Sequence, residues 1–149
     1  MYKRQGRRVA AYEDRTDWMD DPRYTLYDDG DLFGAPASGS ARYDAMAVVP
    51  CSMGMAGRIA SGVSDSLASR AADVMLKERR RLVFVVRETP LSLIHLRNMT
   101  ALTEAGAVIL PACPSFYAGA QDVEALCGTV ADRAVALLGV DAEHYEWGE

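Results

Sequence analysis

Cysteine and histidine are scarce in this chain. There are three cysteines, Cys51, Cys113 and Cys127, and two histidines, His95 and His144. An odd, widely spaced set of cysteines makes no disulfide framework and fits reduced thiols in a cytoplasmic compartment. No CxxC or HExxH pattern occurs, and the two histidines lie far apart, so no dedicated metal site is expected. No apolar run approaches bilayer-spanning length, which argues against a membrane protein. The basic start, Met1–Ala10, is followed by no apolar h-region, which argues against a secretory signal. Positive charge is the minority sign: 16 Lys and Arg stand against 21 Asp and Glu, a net charge of −5. That balance disfavours a nucleic-acid-binding surface. Internal repeats and low-complexity tracts are absent as well.

What is present is an ordinary globular composition, 50% hydrophobic and 25% charged over 149 residues, enough for one domain with a real core. Residues 1–42 show little periodicity and read as an irregular N-terminal segment, in which Asp28-Asp29-Gly30-Asp31 marks a turn. From residue 43 to 140 the pattern becomes regular, and residues 141–149 read as a tail. Ala45–Val49, Leu82–Val86 and Ala107–Leu110 are short apolar runs of the kind buried on both faces of a parallel sheet. Between them the spacing predicts helices. One covers Met53–Ser61, and a second, capped by Ser64, runs to about Arg79 with Leu67, Ala71, Val74 and Met75 on one face. A third is opened by Thr89 as N-cap with Pro90 at its first position and stopped by Gly106. The last runs from about Asp122 to Leu138, with Leu126, Val130, Ala134, Leu137 and Leu138 inward. Strands alternating with helices predict an α/β fold, a parallel sheet with helices on both faces.

Ligands of open parallel sheets bind at the carboxyl ends of the strands. The first strand ends in Pro50-Cys51-Ser52-Met53-Gly54-Met55, where small residues permit close approach and helix-start N–H groups suit an anion or the polar edge of a ring. Cys51 reads as a small buried hydrophobe, and no His/Asp constellation supports acyl chemistry. The second strand ends in Arg87-Glu88, a cation beside a carboxylate, able to hold an anion and to move a proton. The third leads to Phe116-Tyr117, whose phenol can donate to a phosphate or be an ordinary half-buried aromatic. Arg133, Arg70 and Lys77 lie on helices, where a long cation equally well snorkels to solvent. Together the strand ends describe a pocket for a phosphorylated ligand.

These segments, in this order, resemble the UbiX-type flavin prenyltransferases. The matching pieces include Ala35-Pro36-Ala37-Ser38-Gly39-Ser40, Pro50-Cys51-Ser52-Met53-Gly54, Leu76-Lys77-Glu78-Arg79-Arg80, Arg87-Glu88-Thr89-Pro90-Leu91 and Gly106-Ala107-Val108-Ile109-Leu110-Pro111, across roughly residues 27–140. The resemblance implies a homo-oligomeric, Rossmann-like, three-layer α/β/α flavoprotein with sites at subunit interfaces. It would transfer a dimethylallyl group from dimethylallyl monophosphate to N5 and C6 of reduced FMN, without a metal, and the prenylated FMN would serve a UbiD-type decarboxylase. It further implies that Ser52, Met53, Gly54, Met55 and Arg87 contact FMN and that Tyr117 and Arg133 hold the dimethylallyl phosphate. Lys77 would assist them, and Glu88 would be the acid/base group. Where the family begins with a strand and a Gly-Ala-Ser-Gly loop for the FMN phosphate, nothing comparable stands before Tyr27. The chain therefore resembles the family's C-terminal two-thirds, with its N-terminal strands incomplete. The alternatives are an inactive flavin-fold remnant or, further off, a flavin-dependent cysteine decarboxylase relative, whose catalytic His and Asn-rich motif have no counterpart here.

Overall fold

The computed structural model describes residues 16–140. Two 3-10 turns, Asp17–Asp20 and Ala35–Ala37, precede the regular elements. These are β1 (Ala45–Cys51), α1 (Met53–Ala60), α2 (Leu67–Lys77), β2 (Arg81–Val86), α3 (Leu93–Glu104), β3 (Val108–Pro111) and α4 (Val123–Leu137). The strands form one parallel sheet in the order β1-β2-β3, with Met46 opposite Leu82 and Phe84 opposite Ile109.

The central strand explains the layering. Successive side chains of a strand point to opposite faces, and β2 carries apolar residues at every position after Arg81. Leu82, Phe84 and Val86 join a cluster with Met46 and Val48 of β1, Met53, Met55, Ala56 and Ile59 of α1, Ala68, Ala72 and Met75 of α2, and Leu102 of α3. Val83 and Val85 face the other way, onto Val130, Ala134 and Leu137 of α4 and Leu138, its C-cap. The molecule is thus the expected three-layer α/β/α arrangement, with three helices over one face and one over the other.

The sequence reading places several boundaries differently. The N-cap of α2 is Ser66, not Ser64: Ser66 Oγ accepts from Ser69 N–H at 3.3 Å, and Ser66 N–H donates back to Ser69 Oγ at 3.1 Å. The N-cap of α3 is Ser92 rather than Thr89, so Pro90 lies in the preceding turn and not at the first helical position. In each case the serine chosen has a side-chain acceptor three residues later, and the reciprocal bond decides between neighbouring hydroxyls. Pro50 and Pro111 lie inside β1 and β3 rather than after them. Among the described residues both strands are sheet edges, where a residue without an N–H is tolerated. α4 starts where expected, with Asp122 as its N-cap accepting from Ala125 N–H at 2.7 Å, and Gly106 follows α3 at φ +99°, a backbone that favours glycine. Of the inward residues expected on α4, Ala134 is buried, while Leu126, Val130, Leu137 and Leu138 are half-buried, because little else covers that face.

The irregular residues before β1 form a strap across α2. The Asp29 carbonyl accepts from Leu67 N–H at 2.7 Å and its Oδ1 accepts from Ala68 N–H at 2.8 Å, so the expected Asp-rich turn helps cap the helix. Further along, Arg70 Nε donates to the Ala37 carbonyl at 3.2 Å, and Arg80 donates to the Gly39 and Ala41 carbonyls, each at 2.8 Å.

Candidate active site

Parallel pairing puts the carboxyl ends of β1, β2 and β3 along one edge, and the segments leaving them meet there. From β1, Cys51 is buried, with its thiol directed to the Ser52 carbonyl at 3.4 Å. Ser52 is exposed and caps α1, its Oγ accepting from Met55 N–H at 3.3 Å. That bond uses a lone pair and leaves the hydroxyl proton available to a ligand. Met53 and Met55 are 5% and 8% exposed and pack into the core, so their backbones are what this edge presents. Gly54 is exposed, and a Cβ there would meet nothing nearer than Ser52 Oγ at 4.0 Å. A planar group can therefore approach its backbone closely.

From β2 come Arg87 and Glu88, both exposed. Arg87 makes no ion pair among the described residues. A Glu88 Oε1 accepts from Thr89 N–H at 3.3 Å, which leaves carboxylate lone pairs directed outward. The Val49–Pro50 and Thr89–Pro90 peptides, at two of these strand ends, are cis.

From β3 the chain runs through Ala112 to Tyr117, which is 72% exposed. This loop is fastened to α4 by Thr129, a residue the sequence reading did not single out. Thr129 Oγ1 accepts from Ser115 N–H at 3.1 Å and donates to the Leu126 carbonyl at 2.7 Å. Arg133 lies one helical turn beyond Thr129, on the same face of α4. One hydroxyl thus ties together the segments carrying Tyr117 and Arg133. The only sequence signal for it was a hydroxyl one helical turn before Arg133.

Lys77 is not brought to this edge. It ends α2, pairs with Glu78, and faces Gly39 of the strap. The hydrogen bond from Lys77 holds the Glu78 carboxyl below the ordinary carboxylate range. Between Lys77 and Arg87 lies the whole of β2, six residues, or about 20 Å at roughly 3.3 Å per residue.

Behind Arg87 is a cavity of about 440 Å³ between the sheet and α4, lined by Val49, Val85, Ala112, Val130, Ala134 and Leu138 among others. Its lining is almost wholly apolar, and Arg87 is its charged member. No group of three or more His, Cys, Asp or Glu among the described residues is placed to hold a metal.

Comparison with known proteins matches residues 3–135 to the Flavoprotein family model, which begins well before the ordered motifs at residue 27. A flavin prenyltransferase UbiX of Archaeoglobus fulgidus is 49% identical over 125 residues, 83% of this chain and 69% of the relative. One of Thermoplasma acidophilum is 47% identical over 114 residues, 76% of this chain and 63% of the relative. The chain thus spans somewhat under two thirds of that second relative's length. Among solved structures, AnUbiX in complex with FMN and dimethylallyl pyrophosphate aligns with a TM-score of 0.86 at 43% identity, over 98% of this chain and 80% of that one. A dodecameric FMN-dependent UbiX-like decarboxylase from Escherichia coli O157:H7 aligns with a TM-score of 0.79 at 35% identity, over 91% and 78%.

Proposed function

This chain belongs to the flavoprotein family and, within it, to the UbiX-type flavin prenyltransferases, and on that footing we propose that it transfers a dimethylallyl group from dimethylallyl monophosphate to N5 and C6 of reduced FMN. The observation that carries this reading is the convergence of Ser52-Gly54, Arg87-Glu88 and the Tyr117 loop at one sheet edge. Gly54 and Ser52 suit a flavin ring: the glycine backbone is open, and the hydroxyl keeps a proton to donate. Arg87 would meet the ring's polar edge, with Met53 and Met55 contributing backbone. When bound, the reduced flavin supplies the nucleophilic positions.

The chain's own residues account for the rest. As the carbon–oxygen bond to the prenyl group breaks, negative charge accumulates on the departing phosphate. Arg133 and Tyr117, on segments that Thr129 ties together, would stabilise it. Glu88, with unoccupied lone pairs, would accept the proton displaced when the second carbon bond forms. Lys77 would serve the site of a neighbouring copy, since its own chain holds it at the far end of β2. The dodecameric state of a similar protein supports such sharing. The prenylated flavin would pass to a UbiD-type decarboxylase in the cytoplasm. No helix among the described residues is long and apolar enough to cross a membrane.

The test is mass spectrometry of the flavin after anaerobic incubation of the chain with reduced FMN and dimethylallyl monophosphate, with the pyrophosphate run in parallel. A flavin heavier by one isoprene unit is expected. Unmodified flavin from folded protein would favour an inactive remnant, because the described residues include no second glycine loop at this edge for the FMN phosphate. In the active protein, Glu88→Gln should slow prenylation about a hundredfold, within the range of general acid–base contributions, while FMN stays bound. Loss of FMN with unchanged turnover per bound flavin would reject the acid/base role.

A further inference from the structure

The start of α3 is closed by a reciprocal pair of bonds. His95 N–H donates to Ser92 Oγ at 3.3 Å, and Ser92 N–H donates to His95 Nδ1 at 3.2 Å. This is a capping box, but its third helical residue is a histidine where Glu or Gln is usual. A Gln oxygen accepts at any pH. An imidazole accepts at Nδ1 only when neutral, with its proton on Nε2, whereas the imidazolium carries a proton on both nitrogens. Imidazoles change charge between about pH 5 and 8. Protonation of His95 would therefore turn a donor toward the Ser92 N–H and open the box.

The location gives this consequence. α3 begins directly after residues 87–91, the turn that presents Arg87 and Glu88. Among the described residues, the only other side-chain hydrogen bond within residues 87–92 is the local one from Thr89 N–H to Glu88 Oε1. The turn thus takes its orientation from the end of β2 and from the cap of α3. We infer that His95 is a positioning residue for Glu88: its neutral imidazole locks the start of α3 and the turn before it, and its protonation releases them.

The charges around it are few. α1 packs against α3, and its one charged residue, Arg58, is engaged with Asp65 at 3.2 Å. β3, which also packs against α3, carries no charge. On α3 itself are Arg97 and Glu104, and in the preceding turn Arg87 and Glu88.

As an account of turnover this rests on the proposed prenyl transfer; as an account of the turn it does not. The test follows amide hydrogen exchange of residues 87–96 in the full chain across about pH 5 to 8, with prenylation rates over the same range. Wild type is compared with His95→Gln and His95→Ala. After correction for intrinsic exchange, the wild-type Ser92 amide should be about tenfold less protected at the acid end, the size of a lost cap. His95→Gln should be protected throughout, and His95→Ala at neither end. In wild type kcat should fall with protection while KM for the prenyl phosphate holds, and His95→Gln should lack that acid limb. An acid loss shared equally by wild type and His95→Gln, or no acid loss in wild type, overturns the inference. If His95→Ala does not fold, the wild-type and Gln contrast decides. If no protein turns over, the prenyl-transfer reading fails and the exchange data alone judge His95.

Discussion

The two faces of the sheet are built to different standards. Over one, three helices seal Leu82, Phe84 and Leu102 to 1% exposure or less. Over the other, α4 stands largely alone. Ala134 is its one buried residue, and a cavity lies between it and the strands. The closed face buries apolar area with no charged member in its cluster, whereas Arg87 reaches the rim of the open one. Stability is thus concentrated on one side of the sheet. The groups with chemistry to offer sit at the strand ends and on the loosely packed helix, where a ligand can still reach them.

The largest expected effect contrasts the faces directly. Phe84→Ala on the closed side should cost about 3–5 kcal/mol in urea unfolding. Leu138→Ala on the open side should cost nearer 1 kcal/mol, since that side chain is only partly buried and borders the cavity. Equal costs would break the comparison. A smaller effect should fall on function alone. Thr129→Val removes the hydroxyl that ties the Tyr117 loop to α4, a bond worth about 1 kcal/mol. It should raise KM for the prenyl phosphate several-fold, with FMN affinity unchanged, and Thr129→Ser should restore it. A fall in stability as large as that of Phe84→Ala would instead make Thr129 part of the scaffold. The smallest effect lies at the strap. Because Lys77 holds the Glu78 carboxyl below its ordinary range, the stability this pair contributes is complete above the unfolded carboxylate value, about 4.3. It is lost as pH falls through the lower folded value. Glu78→Gln should flatten this part of the acid dependence of thermal unfolding, lowering the neutral melting temperature slightly and leaving the melting temperature at the acid end unchanged.

Much of the closed face was legible because it follows from local pattern. The unbroken run Leu82–Val86 could only be a strand covered on both sides, and so it is, extended by Arg81. Ser52, Asp122 and Gly106 stood at helix ends with no rival nearby. Where hydroxyls crowd together, as at Ser64 and Ser66 or Thr89 and Ser92, local pattern does not distinguish them. The actual cap was chosen by a partner three residues on, and at Ser92 that partner is a histidine, outside the familiar pattern. The site was legible as a set of strand ends, because parallel pairing brings them together whatever the details. The position of Lys77 was not, because a helix that packs antiparallel to its strands delivers its last residue to the opposite edge. The strap was invisible for a related reason: Asp29 and Arg80 find their partners through tertiary contacts that no periodicity announces.

Those strap bonds have a consequence for the order of folding. Asp29 to Ala68, Arg80 to Ala41 and Arg80 to Gly39 join residues 39 to 41 positions apart. None can form until α2 and the start of β2 exist to receive them, and each closes a long loop for little local gain. Late docking of the strap, after the sheet and helices are in place, is the order we expect. Weakening the strap should hasten unfolding and leave the folding rate alone, so residues 28–41 act as a latch on the finished domain rather than as a template for making it.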